Sequence, residues 1–345
     1  ALLQEAAYGS LLREERLFIH ARVVDVLRDA APEEVDEHPE LIAYHCDGAE
    51  LHALATRYWL AAGQAAARRG TVSIAANTYR MGVASSRRYQ SKGQERLRFE
   101  LLLGLGSAVM AEKGYTAKEA LDVFEEARGL ISWARNSLEE FQVWLGLFNV
   151  HFGRGELGKA LEVAAETHQR LIADYGGYPV LQGQAYCYMG RYDDARRCLE
   201  LALETYNPAV DTNLGLFCRA DVVATSFLAK VEFAQGRLQR SGELTDKALV
   251  LARRQGHPIA IAIAMMGRAF WLLDIRDMAA AAAALEEAHA HVVTNDLSNY
   301  ILWIRFIRAG LDLRADPEGA ITRMQQTIAE MDAAGTLMFR PAQLA

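Results

Sequence analysis

Gly183-Gln184-Ala185-Tyr186, then Gly190-Arg191-Tyr192-Asp193-Asp194-Ala195, with Ala202 seven residues on, is the stretch that decides the fold. The same frame recurs as Trp144-x-x-Leu147, then Gly155-x-Leu157-x-x-Ala160, and again as Leu228, Gly236-x-Leu238-x-x-Ser241 and Ala248. Trp59, Gly63, Gly70, Ala75 and Tyr79 fit it upstream, and fainter copies centre on Ala120, Ala281 and Ala320. The small residues at 75, 120, 160, 195, 241, 281 and 320 are therefore equivalent, at intervals of 45, 40, 35, 46, 40 and 39.

Each element of the frame has a physical role. A large residue early in a first helix packs into a hairpin, and a small one four later lets the second helix come close. Glycine before the turn accepts positive φ at the helix C-terminus. The small residue of the second helix marks the crossing point. One such hairpin cannot bury its apolar face alone, so the copies must stack. Between these markers apolar residues fall at helical spacing, with Ala, Leu, Glu and Arg in the gaps and no sustained period of two. Pro39, Pro179, Pro258 and Pro317 stand where helices begin, a position at which proline costs no intrahelical bond. The fold expected is all-α: a right-handed superhelical solenoid of antiparallel helix hairpins with degenerate repeats.

Composition agrees. The chain has 345 residues, 51% of them hydrophobic and 23% charged, with a net charge of −7, which excludes disorder. Only 7 prolines and 26 glycines punctuate it, too few for a chain of short strands. Acidic residues outnumber basic ones 44 to 37, so no pull toward nucleic acid is expected. No apolar run approaches the roughly 18 residues of a membrane span. Cys46, Cys187, Cys198 and Cys218 form no C-x-x-C pair, and reduced thiols and a cytoplasmic location are the expectation.

The frame resembles the tetratricopeptide repeat, a helix pair of about 34 residues. The longer spacings depart from that consensus and also fit other helical solenoids; an insertion is expected at Asn207 to Leu216. Leu3 to Arg13, leading to His20, looks like the last helices of a helical or winged-helix part closing an AAA-like signalling ATPase. Pro39 to His45, Tyr58 to Gly63, Lys113-Gly114-Tyr115 and Phe339-Arg340-Pro341 resemble, in order, the region after the ATPase in large bacterial class III adenylate or guanylate cyclases with tetratricopeptide repeats, of the STAND type. The resemblance implies that residues 1–31 end an ATPase-associated segment. Residues 39–345 would form a repeat domain of about seven hairpins, truncated at its C-terminus. The chain, which starts at Ala1, is accordingly expected to be part of something larger. It holds no P-loop motif.

Apparent sites give way to structural readings. Gly153-Arg154-Gly155-Glu156-Leu157-Gly158 spells a dinucleotide fingerprint, but that motif needs a preceding strand, and here a helix runs into a helix. Gly104-Leu105-Gly106 lies inside a helical pattern. His38, His45, Cys46 and His52 lack the spacing of a metal-binding face, and His289 and His291 point to different sides of one helix. Trp59 and Trp144 are expected in the core. No cofactor, metal or catalytic set is expected.

What remains is repeat geometry. First helices line the concave groove of tetratricopeptide arrays, and the frame places Arg57, Gln64, Glu112, Gln142, Asn149, Gln184, Lys230, Arg305 and Asp312 there. Lys230 and Arg305 stand in apolar contexts, where a cation on the buried side would want an anionic partner. The function expected is a non-catalytic sensor or scaffold that binds a protein or peptide and regulates an attached ATPase. An oligomerisation arm and a small-molecule sensor remain the alternatives.

Overall fold

A computed structural model describes residues 8, 10–30, 32–88, 93–175, 178–208, 219–295, 297 and 300–333, with the side chains of 171–175 excepted. Most of the expected insertion, Cys218 and Phe339-Arg340-Pro341 lie outside the described residues, as do Leu3 to Ala7.

Ahead of the hairpins, the described residues include α1 (Arg13–Ala30), α2 (Pro32–Glu37) and α3 (Pro39–Gly48). Seven hairpins follow among the described residues. They are α4 (His52–Arg68) with α5 (Val72–Arg88), α6 (Gln94–Lys113) with α7 (Lys118–Gly129), and α8 (Ser137–Gly153) with α9 (Leu157–Tyr175). Next come α10 (Val180–Tyr188) with α11 (Tyr192–Glu204), and α12 (Ala220–Ala234) with α13 (Leu238–Gln255). The last two are α14 (Pro258–Asp274) with α15 (Met278–Thr294), and α16 (Ile301–Asp312) with α17 (Pro317–Ala333). The architecture is the all-helical repeat solenoid that the spacing predicts.

The small positions explain why. Ala75, Ala120, Ala160, Ala195, Ser241, Ala281 and Ala320 all fall on the third or fourth residue of a second helix, and none is more than 1% exposed. Ser241, the polar member of the series, donates its hydroxyl to the Ala229 carbonyl across the hairpin at 2.8 Å, which satisfies it in the seam.

The turns repeat in five of the seven hairpins. At Gly190 (φ 72°) the amide donates to Cys187 O while Arg191 N reaches back to Tyr186 O. This double bond pattern, the Schellman motif, caps the last carbonyls of the first helix. It recurs at Gly70, Gly155 and Gly236. The same bonds form at Glu50 (φ 59°) and Arg276 (φ 64°), where a side chain occupies the left-handed region. The Gly153-Arg154-Gly155 sequence is thus a helix-to-helix turn.

The chain divides into two compact units, Ala1–Gly146 and Leu147–Ala345. In the first, Val24 of α1 packs with Ile42, Ala43 and Cys46 of α3 and with Ala55 and Trp59 of α4. Asp47 is the polar hub of this unit: it accepts from Trp59 Nε1 at 2.7 Å, Ser85 Oγ at 2.5 Å and His52 Nδ1 at 3.3 Å. Helix-interior glycines make the unit's seams. Tyr79 of α5 inserts between Gly63 and Gly104, where an added Cβ would stand 2.5 and 2.4 Å from its ring. Phe124 of α7 inserts in the same way between Gly106 and Gly146, at 2.5 and 2.4 Å. Gly104 and Gly106 therefore receive aromatic rings from two successive hairpins.

In the second unit, α10 packs on α12, α12 on α14 and α14 on α16, so first helices touch first helices as well as their own partners. Val222, Leu249, Ala260, Leu285, Ile304 and Ile307 belong to one continuous core there.

Candidate functional site

Four side chains from three successive first helices meet on the first-helix face of the second unit. Phe148 and Phe152, one turn apart on α8, stack with ring centroids 5.1 Å apart and planes at 16°. Phe152 then meets Tyr188 of α10 edge to face at 5.3 Å and Phe227 of α12 at 6.4 Å, and Tyr188 meets Phe227 at 5.9 Å and 71°. Edge-to-face and tilted arrangements let the positive edge of one ring meet the negative face of another. Phe148 and Phe152 are buried, whereas Tyr188 and Phe227 are half-buried and form the surface of the cluster.

Lys230 lies one turn beyond Phe227 on α12. Its ammonium sits 5.2 Å from the Phe227 centroid and 5.5 Å from that of Tyr188, inside the range of a cation–π contact, and Nζ donates to Tyr188 Oη at 3.3 Å. The residue as a whole is exposed, while burial around its ammonium works to lower its pKa and Tyr188, Cys187 and Asp274 work to raise it. Burial pushes the Tyr188 phenol and the Cys187 thiol above their ordinary pKa values, and the Lys230 charge opposes both shifts. Asp274, at the end of α14, has its carboxyl raised by burial and lowered again by Lys230.

The remaining residues expected in the groove fall into three groups. Arg57, Gln64 and Gln142 are exposed on first helices. Asn149 and Gln184 are half-buried on the helices that carry Phe152 and Tyr188, Gln184 one turn before Tyr188. The third group is tied up within the chain. Glu112 accepts from Arg80 of α5 at 2.9 Å, Asp312 from Arg323 of α17 at 3.0 Å, and Arg305 donates both Nη atoms to Glu330 of α17 at 2.6 and 2.9 Å. A cation on the buried side is not what the structure holds at either position, since Lys230 and Arg305 are both exposed. Their apolar sequence neighbours belong to the opposite faces of the same helices, with Leu228, Ala229, Val231, Ile304 and Phe306 buried.

The spacing argument missed Phe152, Tyr188 and Phe227. A usable signal was present in Phe148/Phe152 at i, i+4 and Phe227/Lys230 at i, i+3, both of which share a helical face. No group of three or more His, Cys, Asp or Glu side chains suited to a metal occurs among the described residues, and no helix there is long and apolar enough to cross a membrane. His45 faces His20 instead, and His291 Nε2 donates to the Pro258 carbonyl at 2.8 Å. Trp59 and Trp144 are buried.

No family model and no curated protein matches this chain. Among solved structures it is similar to a Rap protein complexed with Competence and Sporulation Factor, at TM-score 0.58 and 10% identity over 95% of this chain and 96% of that one. A tetratricopeptide repeat protein from Parabacteroides merdae aligns at TM-score 0.52 and 16% identity over 82% and 97%. A STAND protein with a tetratricopeptide repeat sensor from Pyrococcus horikoshii aligns at TM-score 0.47 and 14% identity over 94% of this chain and 48% of that one, a likeness too low to argue from. The first two establish a shared helical-repeat fold.

Proposed function

We propose that this chain is a non-catalytic repeat scaffold that binds a peptide or an extended protein segment along its first helices. The carrying observation is the Phe152, Tyr188, Phe227 and Lys230 cluster, in which rings from three successive hairpins leave two half-buried aromatic surfaces beside an exposed lysine. Rigid aromatic area with a polar edge is what binding surfaces use, because it gives contact at low cost in side-chain entropy. The fold shared with the Rap protein, whose structure contains Competence and Sporulation Factor, supports the reading.

The finer part of the proposal is a relay to an attached ATPase of a nucleotide-cyclase signalling protein in the cytoplasm. Ligand binding would favour one packing of the hairpins over another, and α1, through Val24 and His20, would carry the difference toward the preceding segment. A ligand acts this way only as far as it binds the two packings unequally.

The binding reading is tested by probing an array of acetylated, amidated peptides of randomised sequence with the full chain and with its Tyr188→Ala and Phe227→Ala variants. Specific binders that both variants lose support it; an array without specific binders sinks it. Deleting the repeats from the longer protein and finding its nucleotide turnover unchanged would refute the relay.

A further inference from the structure

We infer that the outward face of α1 pairs antiparallel with the same face of a second copy of this chain, about a twofold axis between Phe18 and Ile19. This face lies in the first unit, apart from the aromatic cluster, and the inference goes beyond the binding reading.

Helix α1 is apolar on two sides. His20 and Val24 are buried, with Val24 packed on α3 and α4. On the other side Phe18 is 67% exposed, Val26 53% and Ile19 45%. Glu15, Phe18, Ile19, Arg22 and Val26 follow the spacing i, i+3, i+4, i+7 and i+11, so they share one face of the helix, turned away from His20 and Val24. A shallow groove of about 390 Å³ opens at the start of that face between Leu11, Glu15, Phe18 and Ile19. A surface helix has one apolar stripe and an opposite polar side, and large apolar side chains on both sides mark a helix that is covered on both.

Charge identifies what covers it. Glu15 and Arg22 stand on the midline of the face two turns apart, about 10 Å along the axis, too far to meet within one helix. Neither has an ion-pair partner among the described residues, and the Glu15 carboxylate accepts only from the Leu12 amide, at 2.8 Å. Elsewhere in the unit such charges are matched between helices, Arg80 with Glu112 and Glu119, and Arg96 with Glu139. Positions 15 and 22 are equally far from the point between 18 and 19. Turning a second α1 about that point sets Glu15 of each copy against Arg22 of the other, brings Phe18 to Phe18 and Ile19 to Ile19, and carries Val26 to the Leu11 end of the groove. A parallel pair would instead put Glu15 on Glu15 and Arg22 on Arg22. The face is therefore complementary to itself in the antiparallel orientation.

The helix has 18 residues, about 27 Å of length, so the contact is small and a dimer that dissociates in the micromolar range is expected.

Sedimentation equilibrium of the full chain across that range tests the inference. The native chain is expected to dimerise and Phe18→Glu to remain monomeric. Glu15→Lys and Arg22→Glu each weaken association about tenfold or more, because each sets like charges together at two symmetric points. The double variant Glu15→Lys/Arg22→Glu only reverses the pairs, and it recovers association to within about threefold of the native chain. All three positions are exposed, so the variants are expected to keep the native circular dichroism. A native chain that stays monomeric throughout overturns the inference, whether the face is bare or reserved for another partner. A dimer that survives Phe18→Glu overturns it as well, since its contact lies elsewhere. So does a double variant no stronger than the two single losses combined.

Discussion

His20 Nδ1 lies 3.0 Å from His45 Nδ1, joining α1 to α3 inside the first unit. A hydrogen bond between two such nitrogens needs one protonated and one bare, so the two rings cannot both be imidazolium in this arrangement. The other nitrogen of His20 meets the Tyr8 hydroxyl at 2.9 Å, and the ring packs on the backbone of Gly48, where an added Cβ would lie 2.6 Å away. Burial lowers the pKa of both histidines, and the charge of His20 lowers that of His45 further.

Acid should therefore loosen α1. A histidine whose folded pKa is depressed takes up protons more readily when unfolded, so stability is whole above about pH 6.5 and falls as the pH drops from there toward the folded values. Chemical denaturation from pH 8 to 5 should show this slope, and His45→Asn should flatten it. Amide exchange in Arg13–Ala30 should speed up before that of the hairpins; equal acceleration everywhere would contradict the localisation.

A second acid response belongs to Glu119. The Arg80 guanidinium, bonded to it at 2.5 Å, holds its carboxyl at about 2. A depressed carboxylate stabilises above its unfolded pKa of about 4.5 and loses that contribution as the pH falls toward 2. Glu119→Gln should reduce the pH dependence of unfolding between pH 5 and 3 while leaving the histidine slope between pH 8 and 5 in place.

Asp47 should be the most costly polar residue to remove from the first unit. Asp47→Ala strips the Trp59 indole, the buried Ser85 hydroxyl and His52 of one shared acceptor. Leaving buried donors unpaired costs about 1–3 kcal/mol, read as a lower denaturation midpoint at unchanged slope.

The glycine seams predict a coupled pair. Gly104→Ala drives a Cβ into the Tyr79 ring and should destabilise by about 1–3 kcal/mol. Tyr79→Leu in the same chain removes the ring atoms that clash, so the double variant should be more stable than the sum of the single losses predicts. Strict additivity would show that the ring is not the obstacle.

The turns predict opposite signs for opposite exchanges. Arg276 adopts φ 64° where four other turns of the series, at Gly70, Gly155, Gly190 and Gly236, have glycine, so Arg276→Gly should stabilise by about 1 kcal/mol, and Gly190→Ala should destabilise by about the same amount. Thermal or denaturant unfolding of the two variants measures both.

Much of the solenoid was legible because its rules are local. The small residue of each second helix lies a fixed few positions after a turn, and its burial follows from where two helices cross. The glycine turns were readable for the same reason, but Glu50 and Arg276 were not, since nothing in their side chains announces a left-handed backbone. Gly104-Leu105-Gly106 was visible but unexplained until Tyr79 and Phe124 supplied the rings that need the space. Among the expected groove residues, spacing could not separate Lys230 from Arg305, because what differs between them is tertiary surroundings: Lys230 stands over the rings of Tyr188 and Phe227, and Arg305 is paired with Glu330.

The sequence by itself determined an all-helical chain of stacked hairpins, its glycine turns, and which small residues lie in its seams. These depend on helical period, turn chemistry and side-chain volume, all read within one hairpin. Only the tertiary structure decided that Phe152, Tyr188, Phe227 and Lys230 meet, and that His20 faces His45. Those meetings depend on the stagger and rotation of one helix against another. That geometry is fixed by the summed packing of every residue in the seam, and no single residue's spacing encodes it.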